Sequence, residues 1–295
     1  MRAITINRKI KMALSATLIT ALVITTAFLV MEYVPAPLKL QNCVWLVPSS
    51  EGLGLMNNSS LWQPTVIRLE KANIHCIIVW AGSWNANHTI SYADSPSVWN
   101  QFIDVVKATD SSFKVLALVG TGGVDISTAS YRTEMINSVK QLLSSAPFNG
   151  YNDDLESFTG SIQDLIAYWQ GVASMVRDMG KIATVDTGVS GSYSITDVYP
   201  YLTNFNYIIP MFYQTICYSN ASTYWNQVLS DSPVPVIMGL AIDYPANGNF
   251  SMSQQLSWVD QQSHKNLAGF SIWAYDYWST ADFEAWSNWT TKNTI

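Results

Sequence analysis

Eight short apolar segments recur along most of this chain, and an amphipathic segment follows each of them. The apolar segments are rich in β-branched and aromatic residues, which is typical of buried strands. They lie at 43–47, 75–80, 113–119, 148–155, 181–186, 206–213, 234–242 and 268–275. The amphipathic segments lie near 60–72, 96–109, 128–145, 160–179, 194–203, 221–230, 252–263 and 279–291. Near-continuous apolar strands that alternate with helices predict a parallel sheet covered by helices on both faces.

Eight such units in about 250 residues predict an α/β protein with a single (β/α)8 TIM barrel, which we place at residues 41–295. An open, doubly wound sheet is the alternative fold, but it usually has fewer strands and a glycine-rich first turn. Residues 48–52 do not form a G-x-G-x-x-G turn, and the sequence shows no nucleotide-binding motif. We therefore expect a barrel without a nucleotide cofactor.

An uncharged apolar segment, residues 12–31, precedes the barrel and follows a basic flank at residues 1–11. About 20 such residues match the hydrocarbon thickness of a bilayer. The basic flank should stay in the cytoplasm. The pattern predicts a transmembrane or signal-anchor helix, a linker at residues 32–40 and an extracytoplasmic barrel on the cell membrane. A cleaved signal peptide and a secreted barrel are the alternative, although no clear small-x-small cleavage site precedes Glu32.

The charge of the chain limits its partners. Of its 15 Lys and Arg and 21 Asp and Glu, five basic residues and one acid lie in the first forty positions, which leaves ten against twenty in the remainder. This acidic balance argues against binding of nucleic acid by the folded part. Six Asn-x-Ser/Thr triplets agree with export and predict a glycoprotein. The triplets begin at Asn57, Asn58, Asn87, Asn220, Asn249 and Asn288.

Cysteine and histidine give no sign of a metal site. The three cysteines, Cys43, Cys76 and Cys217, are too few and too scattered for a disulfide scaffold or a zinc site, and the three histidines lack metal-ligand spacing. We therefore expect no metal and no other cofactor. Cys43 and Cys76 fall in the first two predicted strands and can be buried thiols or a disulfide bridge.

The fourth predicted strand ends in acidic residues. Because side chains alternate along a strand, Asn152, Asp154 and Glu156 share one face, whereas Asp153 and Leu155 share the other. Three polar groups on the inward face of a barrel need mutual hydrogen bonds or a ligand. At the mouth of the barrel, Glu156 becomes a candidate general acid with a supporting carboxylate.

The other strands also end in polar or aromatic residues, at the C-terminal face where such barrels carry their active sites. Carboxylates and amides can bond the hydroxyls of a sugar, while aromatic rings stack on its C–H faces. The pattern therefore indicates an oligosaccharide or polysaccharide as the substrate. Besides the fourth strand, the candidates are Trp45, Trp80, Asp186, Met211, Tyr213, Gln214, Asp243, Trp273 and Tyr275.

The fourth strand resembles the signature of glycoside hydrolase family 18, which contains chitinases and endo-β-N-acetylglucosaminidases. That signature, D-x-x-D-x-D-x-E, follows a Phe and has Gly after its first Asp, and it lies over Phe148 to Glu156. Asp154 and Glu156 match its last two acids. Asn149 and Asn152 stand where the family has its first two.

Two further strands carry the resemblance, which covers roughly residues 41–291. The sixth-strand motif of the family, M-x-Y-D, lies over Met211 to Gln214, with Gln214 in place of the acid. Its eighth-strand Trp, the floor of the sugar subsite, matches Trp273. The third-strand S-x-G-G is loosely echoed at residues 121–123.

The resemblance implies hydrolysis of glycans that contain N-acetylhexosamine, such as chitin-like polymers, peptidoglycan or N-glycans. Glu156 would protonate the leaving oxygen, and the 2-acetamido oxygen of the substrate would attack the anomeric carbon. Asp154 would orient the acetamido group, Tyr213 would bond its oxygen, and Trp273 would support the distorted sugar. The amide of Asn152 cannot exchange a proton with Asp154 as a carboxyl would.

Two other functions stay open at the level of sequence. A barrel of this kind can bind carbohydrate without cleaving it. It can also act as a two-carboxylate glycosidase, with Glu156 as acid/base and Asp243 or Asp186 as nucleophile.

Overall fold

A computed structural model describes most of the barrel region. The described residues are 42–46, 55–120, 123–188, 195–242 and 250–293, without the side chains of residues 195 and 276. The basic flank, the apolar segment 12–31 and the linker 32–40 lie outside them. Within this described part, no helix has the length and apolar character needed to cross a membrane.

Eight parallel strands form a closed barrel, which confirms the predicted fold. Each strand pairs with the next in sequence, and β1 pairs with both β2 and β8, so that Cys43 lies beside Cys76 on one side and Ser271 on the other. The strands are β1 (Cys43–Leu46), β2 (Cys76–Trp84), β3 (Lys114–Gly120), β4 (Gly150–Asp153), β5 (Ile182–Thr187), β6 (Tyr207–Pro210), β7 (Val236–Ala241) and β8 (Leu267–Trp273). A short strand, Ile90–Tyr92, pairs antiparallel with the end of β2.

Helices surround the barrel. They are α1 (Trp62–Lys71), α2 (Pro96–Thr109), α3 (Ala129–Ser145), α4 (Ile162–Asp178), α5 (Ile195–Val198), α6 (Ala221–Asp231), α7 (Met252–Val259) and α8 (Thr280–Lys292). Capping boxes begin α4, α7 and α8, where a Ser side chain and the third helical residue satisfy each other's backbone N–H groups. These caps fix where each helix starts after the strand before it.

Side-chain alternation along the strands divides the core into two layers. In β1, Cys43 and Trp45 belong to the cluster inside the barrel, whereas Val44 and Leu46 belong to the larger cluster between strands and helices. Most of the fully buried tryptophans lie in the larger cluster and fill the space between strands and helices. They include Trp99, Trp169, Trp225 and Trp286.

Some predicted elements have different bounds or a different type in the structure. The fourth strand was predicted over 148–155 and spans 150–153, because its pairing with β3 ends at Asp153. The sixth was predicted over 206–213, but a 3-10 turn at Phe212–Gln214 follows β6. The amphipathic segment 194–203 is α5 followed by a 3-10 helix at Tyr199–Asn204. Pro200, near its start, has no backbone N–H to continue an α-helix.

Candidate functional site

The inward face of β4 begins the site with a buried amide. Asn152 has no exposed surface. Its Nδ2 donates a hydrogen bond of 2.6 Å to Asp186 Oδ2, and its Oδ1 accepts one of 2.6 Å from Thr184 Oγ1. Both partners lie on the neighbouring β5, where Thr184 is the register partner of Asn152. The two bonds fix the orientation of the amide and bring the Asp186 carboxylate beside β4.

Two carboxylates at this end of the barrel are buried and incompletely bonded. Asp154 is 8% exposed and Asp186 is 4% exposed, and the Oδ1 atom of each has no hydrogen-bond partner among the residues that the structure describes. Burial raises the pKa of Asp154 well above its ordinary value, and the charges of Glu156 and Asp153 raise it further. Burial and the charge of Asp154 likewise raise the pKa of Asp186, against the lowering effect of the bond from Asn152.

Glu156 stands just beyond these two carboxylates. It follows the end of β4 and its side chain is exposed to water. Partial burial of the carboxyl still raises its pKa, since protein atoms replace part of its hydration. The predicted column of Asn152, Asp154 and Glu156 therefore holds in part: Asn152 is in the strand, whereas the two acids follow its end in chain without regular secondary structure. A carboxyl that has a raised pKa and is accessible to water is suited to donate a proton.

Side chains just after β6, at the end of β7 and at the end of β8 form a second group. Met211, Tyr213 and Ala241 are buried together, and the partly buried Trp273 packs against them. Trp273 also meets Trp45 edge-on, with the ring centroids 6.0 Å apart. The structure thus brings together four predicted residues, Trp45, Met211, Tyr213 and Trp273. An aromatic surface of this kind can stack on the C–H face of a sugar.

Three other predicted residues take separate positions. The half-buried Gln214 directs Nε2 at Met211 Sδ, 3.8 Å away. The ring of Trp80 lies over Gly120 at the end of β3, so closely that a Cβ there would come within 2.0 Å of it. Tyr275 is buried in the outer cluster, near Trp278 and beneath Arg68, apart from Met211 and Trp273.

Some predicted positions lie outside the described residues. They are Asp243, in the loop after β7, and residues 121 and 122 of the glycine cluster after β3. Among the described residues, no group of three or more His, Cys, Asp or Glu side chains is arranged to hold a metal ion.

Sequence reasoning missed the contact between Asp186 and Asn152. The sequence analysis named Asp186 as a strand-end candidate and as an alternative nucleophile, but not as a partner of Asn152, and it did not name Thr184. A signal was present, because Thr184 and Asp186 are two residues apart on an apolar strand and so share one face. The structure shows that this face is the one that meets Asn152.

Comparison with known proteins shows a shared fold. No family model matches the chain, and no curated protein matches it in sequence. Solved structures of chitinases and of chitinase-like lectins do match. The C-terminal domain of a putative chitinase from Desulfitobacterium hafniense is 16% identical, with a TM-score of 0.61 over 86% of this chain and 99% of that one.

Two further matches differ in the function that their names state. A family 18 chitinase from Cycas revoluta, solved with (GlcNAc)4, is 13% identical, with a TM-score of 0.62 over 84% of this chain and 99% of that one. The chitinase-like agglutinin of Robinia pseudoacacia is 16% identical, with a TM-score of 0.61 over 84% of this chain and 98% of that one. At these identities the likeness establishes the fold, which chitinases and a lectin share.

Proposed function

We propose that this protein is a glycoside hydrolase acting on glycans that contain N-acetylhexosamine. The observation that carries the proposal is the position of Glu156, a water-accessible carboxyl with a raised pKa next to the buried Asp154. A general acid has to hold a proton and be open to substrate, and the raised pKa and the exposure of Glu156 favour both. The chitinases with the same fold support the choice of substrate class.

The proposed reaction needs no protein nucleophile. Glu156 protonates the leaving glycosidic oxygen while the acetamido oxygen of the substrate attacks the anomeric carbon, and water then opens the oxazolinium with retention. Asp154 orients the acetamido group and balances the positive charge. Tyr213 bonds the acetamido oxygen, and Trp273 supports the sugar from below. Contacts to the remaining sugars are assigned to Met211, Gln214, Trp45, Trp80 and Asp243. The fully buried Asn152 and the outer-cluster Tyr275, both predicted to bind substrate, are not in a position to contact it.

A non-catalytic carbohydrate-binding barrel is the second candidate. It is favoured by one observation, the presence of a lectin among the proteins that share this fold. A two-carboxylate mechanism has weaker support from Asp186, because that side chain is 4% exposed and already bonded by Asn152. Asp243 stays available as its alternative nucleophile.

Substitution of the acid separates the first two candidates. The full-length chain, purified in a mild detergent, is compared with Glu156→Gln and with the matched surface control Glu284→Gln on N-acetylglucosamine oligomers, peptidoglycan and N-linked glycans. We expect Glu156→Gln to cut the rate of cleavage by about 10²- to 10⁴-fold, and the control to cleave like the parent. Sugar binding without any cleavage by the parent would establish the lectin-like alternative.

An inhibitor separates the two hydrolytic mechanisms. A thiazoline mimic of the oxazolinium should inhibit only the acetamido-assisted reaction, because a two-carboxylate enzyme forms no such intermediate. Resistance of an active parent enzyme to the mimic would favour Glu156 with Asp243.

We also propose that residues 12–31 anchor the barrel, residues 41–295, to the outer face of the cell membrane. The support is the uncharged length of the segment and its basic flank. An anchored chain stays with the membrane after alkaline extraction and keeps its N-terminal residues, whereas a cleaved signal would release a shortened, soluble chain.

A further inference from the structure

Asp154 and Asp186 form a pair of carboxylates with an unusual lack of partners. They lie on the inward faces of adjacent strands or just beyond them, and each is more than nine-tenths buried. Asp186 Oδ2 accepts a hydrogen bond from the Asn152 amide, but no group in the described part of the chain donates to the Oδ1 atoms of Asp154 and Asp186. A buried, ionised carboxylate with an unsatisfied oxygen is costly, and two adjacent ones are more so.

The charges that face the pair are all acidic. Asp154 is influenced by Glu156 and Asp153, and Asp186 by the same two residues. On the β1 side, the charge of Asp186 contributes to the raised pKa of the Cys43 thiol. Within the described residues, the ion pairs of Lys, Arg and His involve other acids, at Asp110, Glu134 and Asp164. No described cation therefore offsets a double negative charge.

We propose that Asp154 and Asp186 bind one proton between them and that Asp186 is the positioning residue which sets the charge of Asp154. The pair carries a single negative charge. A proton on one carboxyl makes that group a donor to the unsatisfied oxygen of the other, and the amide of Asn152 holds Asp186 in place in both states. The titration belongs to the pair rather than to either residue.

The pairing explains how this chain works with an amide at position 152. Asn152 cannot hold the proton, but its 2.6 Å bond brings a carboxyl from β5 to the place where one is needed. This part rests on the proposed function. As positive charge develops on the acetamido group, the proton moves from Asp154 to Asp186, and Asp154 becomes the ionised partner of that charge. No other bond is made or broken in this step.

The first test measures protonation in the unliganded full-length protein, without any substrate. Carboxyl carbons of ¹³C-labelled Asp are followed by NMR against pH in the parent, in Asp186→Asn and in Asp104→Asn, an exposed control with the same change in charge. In the parent, Asp154 and Asp186 should titrate together in two steps. In Asp186→Asn, Asp154 should titrate in one step at lower pH, because a neighbouring negative charge is gone.

Exchange of the two functional groups gives a second test. Asn152→Asp with Asp186→Asn puts a carboxyl and an amide back across the same contact, and should restore coupled titration of Asp154. In cleavage assays, Asp186→Asn should shift the alkaline limb of the pH profile to lower pH by about one unit and reduce the rate at the parent's optimum about tenfold. The exchanged variant should recover both.

The outcomes separate this inference from the proposed function. Unchanged titration of Asp154 in Asp186→Asn, or independent single-step titration of both residues in the parent, would overturn the pairing. Coupled titration in a parent that cleaves no glycan would support the pairing and reject the hydrolase. An Asp186→Asn variant that loses stability but keeps the parent's pH profile would show a structural role alone and would also overturn the inference.

Discussion

Two consecutive carboxylates at the end of β4, Asp153 and Asp154, differ in their hydrogen-bond partners. Asp153 faces α4 and accepts hydrogen bonds from Tyr151 Oη at 2.9 Å, Tyr168 Oη at 2.7 Å and Trp169 Nε1 at 3.1 Å. The backbone N–H of Leu155 donates as well. Asp154 faces the barrel interior and has an oxygen that accepts nothing.

The difference shows how to tell a structural buried charge from a functional one. Burial raises the pKa of both side chains, but the donors around Asp153 oppose that effect, whereas the acids around Asp154 add to it. Asp153, whose oxygens are saturated by donors, holds β4 to α4 through its bonds from Tyr168 and Trp169. A carboxylate left with an open acceptor is kept ready for a proton or a ligand, which is the usual reason for an unsatisfied buried group.

Removal of the outer carboxylate should have the largest effect on folding. Asp153→Leu removes the acceptor that the two tyrosine hydroxyls and the Trp169 N–H share, at about 1–3 kcal/mol for each lost bond. We expect the free energy of unfolding to fall by about 3–5 kcal/mol, as measured by urea denaturation. Asp153→Asn keeps one acceptor oxygen and should lose less. Equal stability of parent and Asp153→Leu would contradict the role assigned to this face.

Removal of the inner carboxylate should instead affect the reaction. Asp154→Asn takes away the charge that balances the oxazolinium, which we expect to reduce kcat by about 10²- to 10³-fold. Its unfolding free energy should stay at the parent's value or rise, since a buried, repelled charge is lost. Steady-state kinetics and urea denaturation measure the two effects. If Asp154→Asn loses stability but keeps full activity, the functional role assigned to the inner face is wrong.

The sequence predicts this contrast only in part. Alternation of side chains separates Asp154 from Asp153, and the eightfold pattern predicts the barrel and the end at which β4 carries its acids. The partners of each acid come from other strands and helices, such as Asp186 on β5 and Tyr168 on α4, and depend on register and packing that short-range patterns do not contain. The pattern also overestimates the end of the fourth strand, because Leu155 continues the apolar face while the pairing with β3 stops at Asp153.

The acidity of the inner face should appear in the pH dependence of stability. Asp154 and Asp186 have pKa values above the ordinary aspartate value in the folded state, so the folded chain binds more protons than the unfolded chain between those values. The free energy of unfolding therefore decreases as pH rises through that window, by about 1.4 kcal/mol for each pKa unit of elevation. Asp186→Asn should reduce this decrease, as measured by urea denaturation at several pH values. An equally steep decrease in the variant would contradict the prediction.

The smallest expected effect concerns Asn149, the other amide at a position where family 18 has an acid. Its Oδ1 accepts the backbone N–H of Val115 at 2.9 Å, which extends the pairing of β3 and β4 at the end away from the barrel mouth. Asn149→Ala should lower the unfolding free energy by about 1 kcal/mol and leave the pH profile of cleavage unchanged. Asn149→Asp keeps the acceptor oxygen and should lose less stability. By contrast, Asn152→Ala removes the bond to Asp186 and should change that pH profile, because the carboxylate pair loses the group that steadies it. A changed pH profile in Asn149→Ala would contradict the purely structural role that its hydrogen bond to Val115 indicates, and with it the contrast to Asn152.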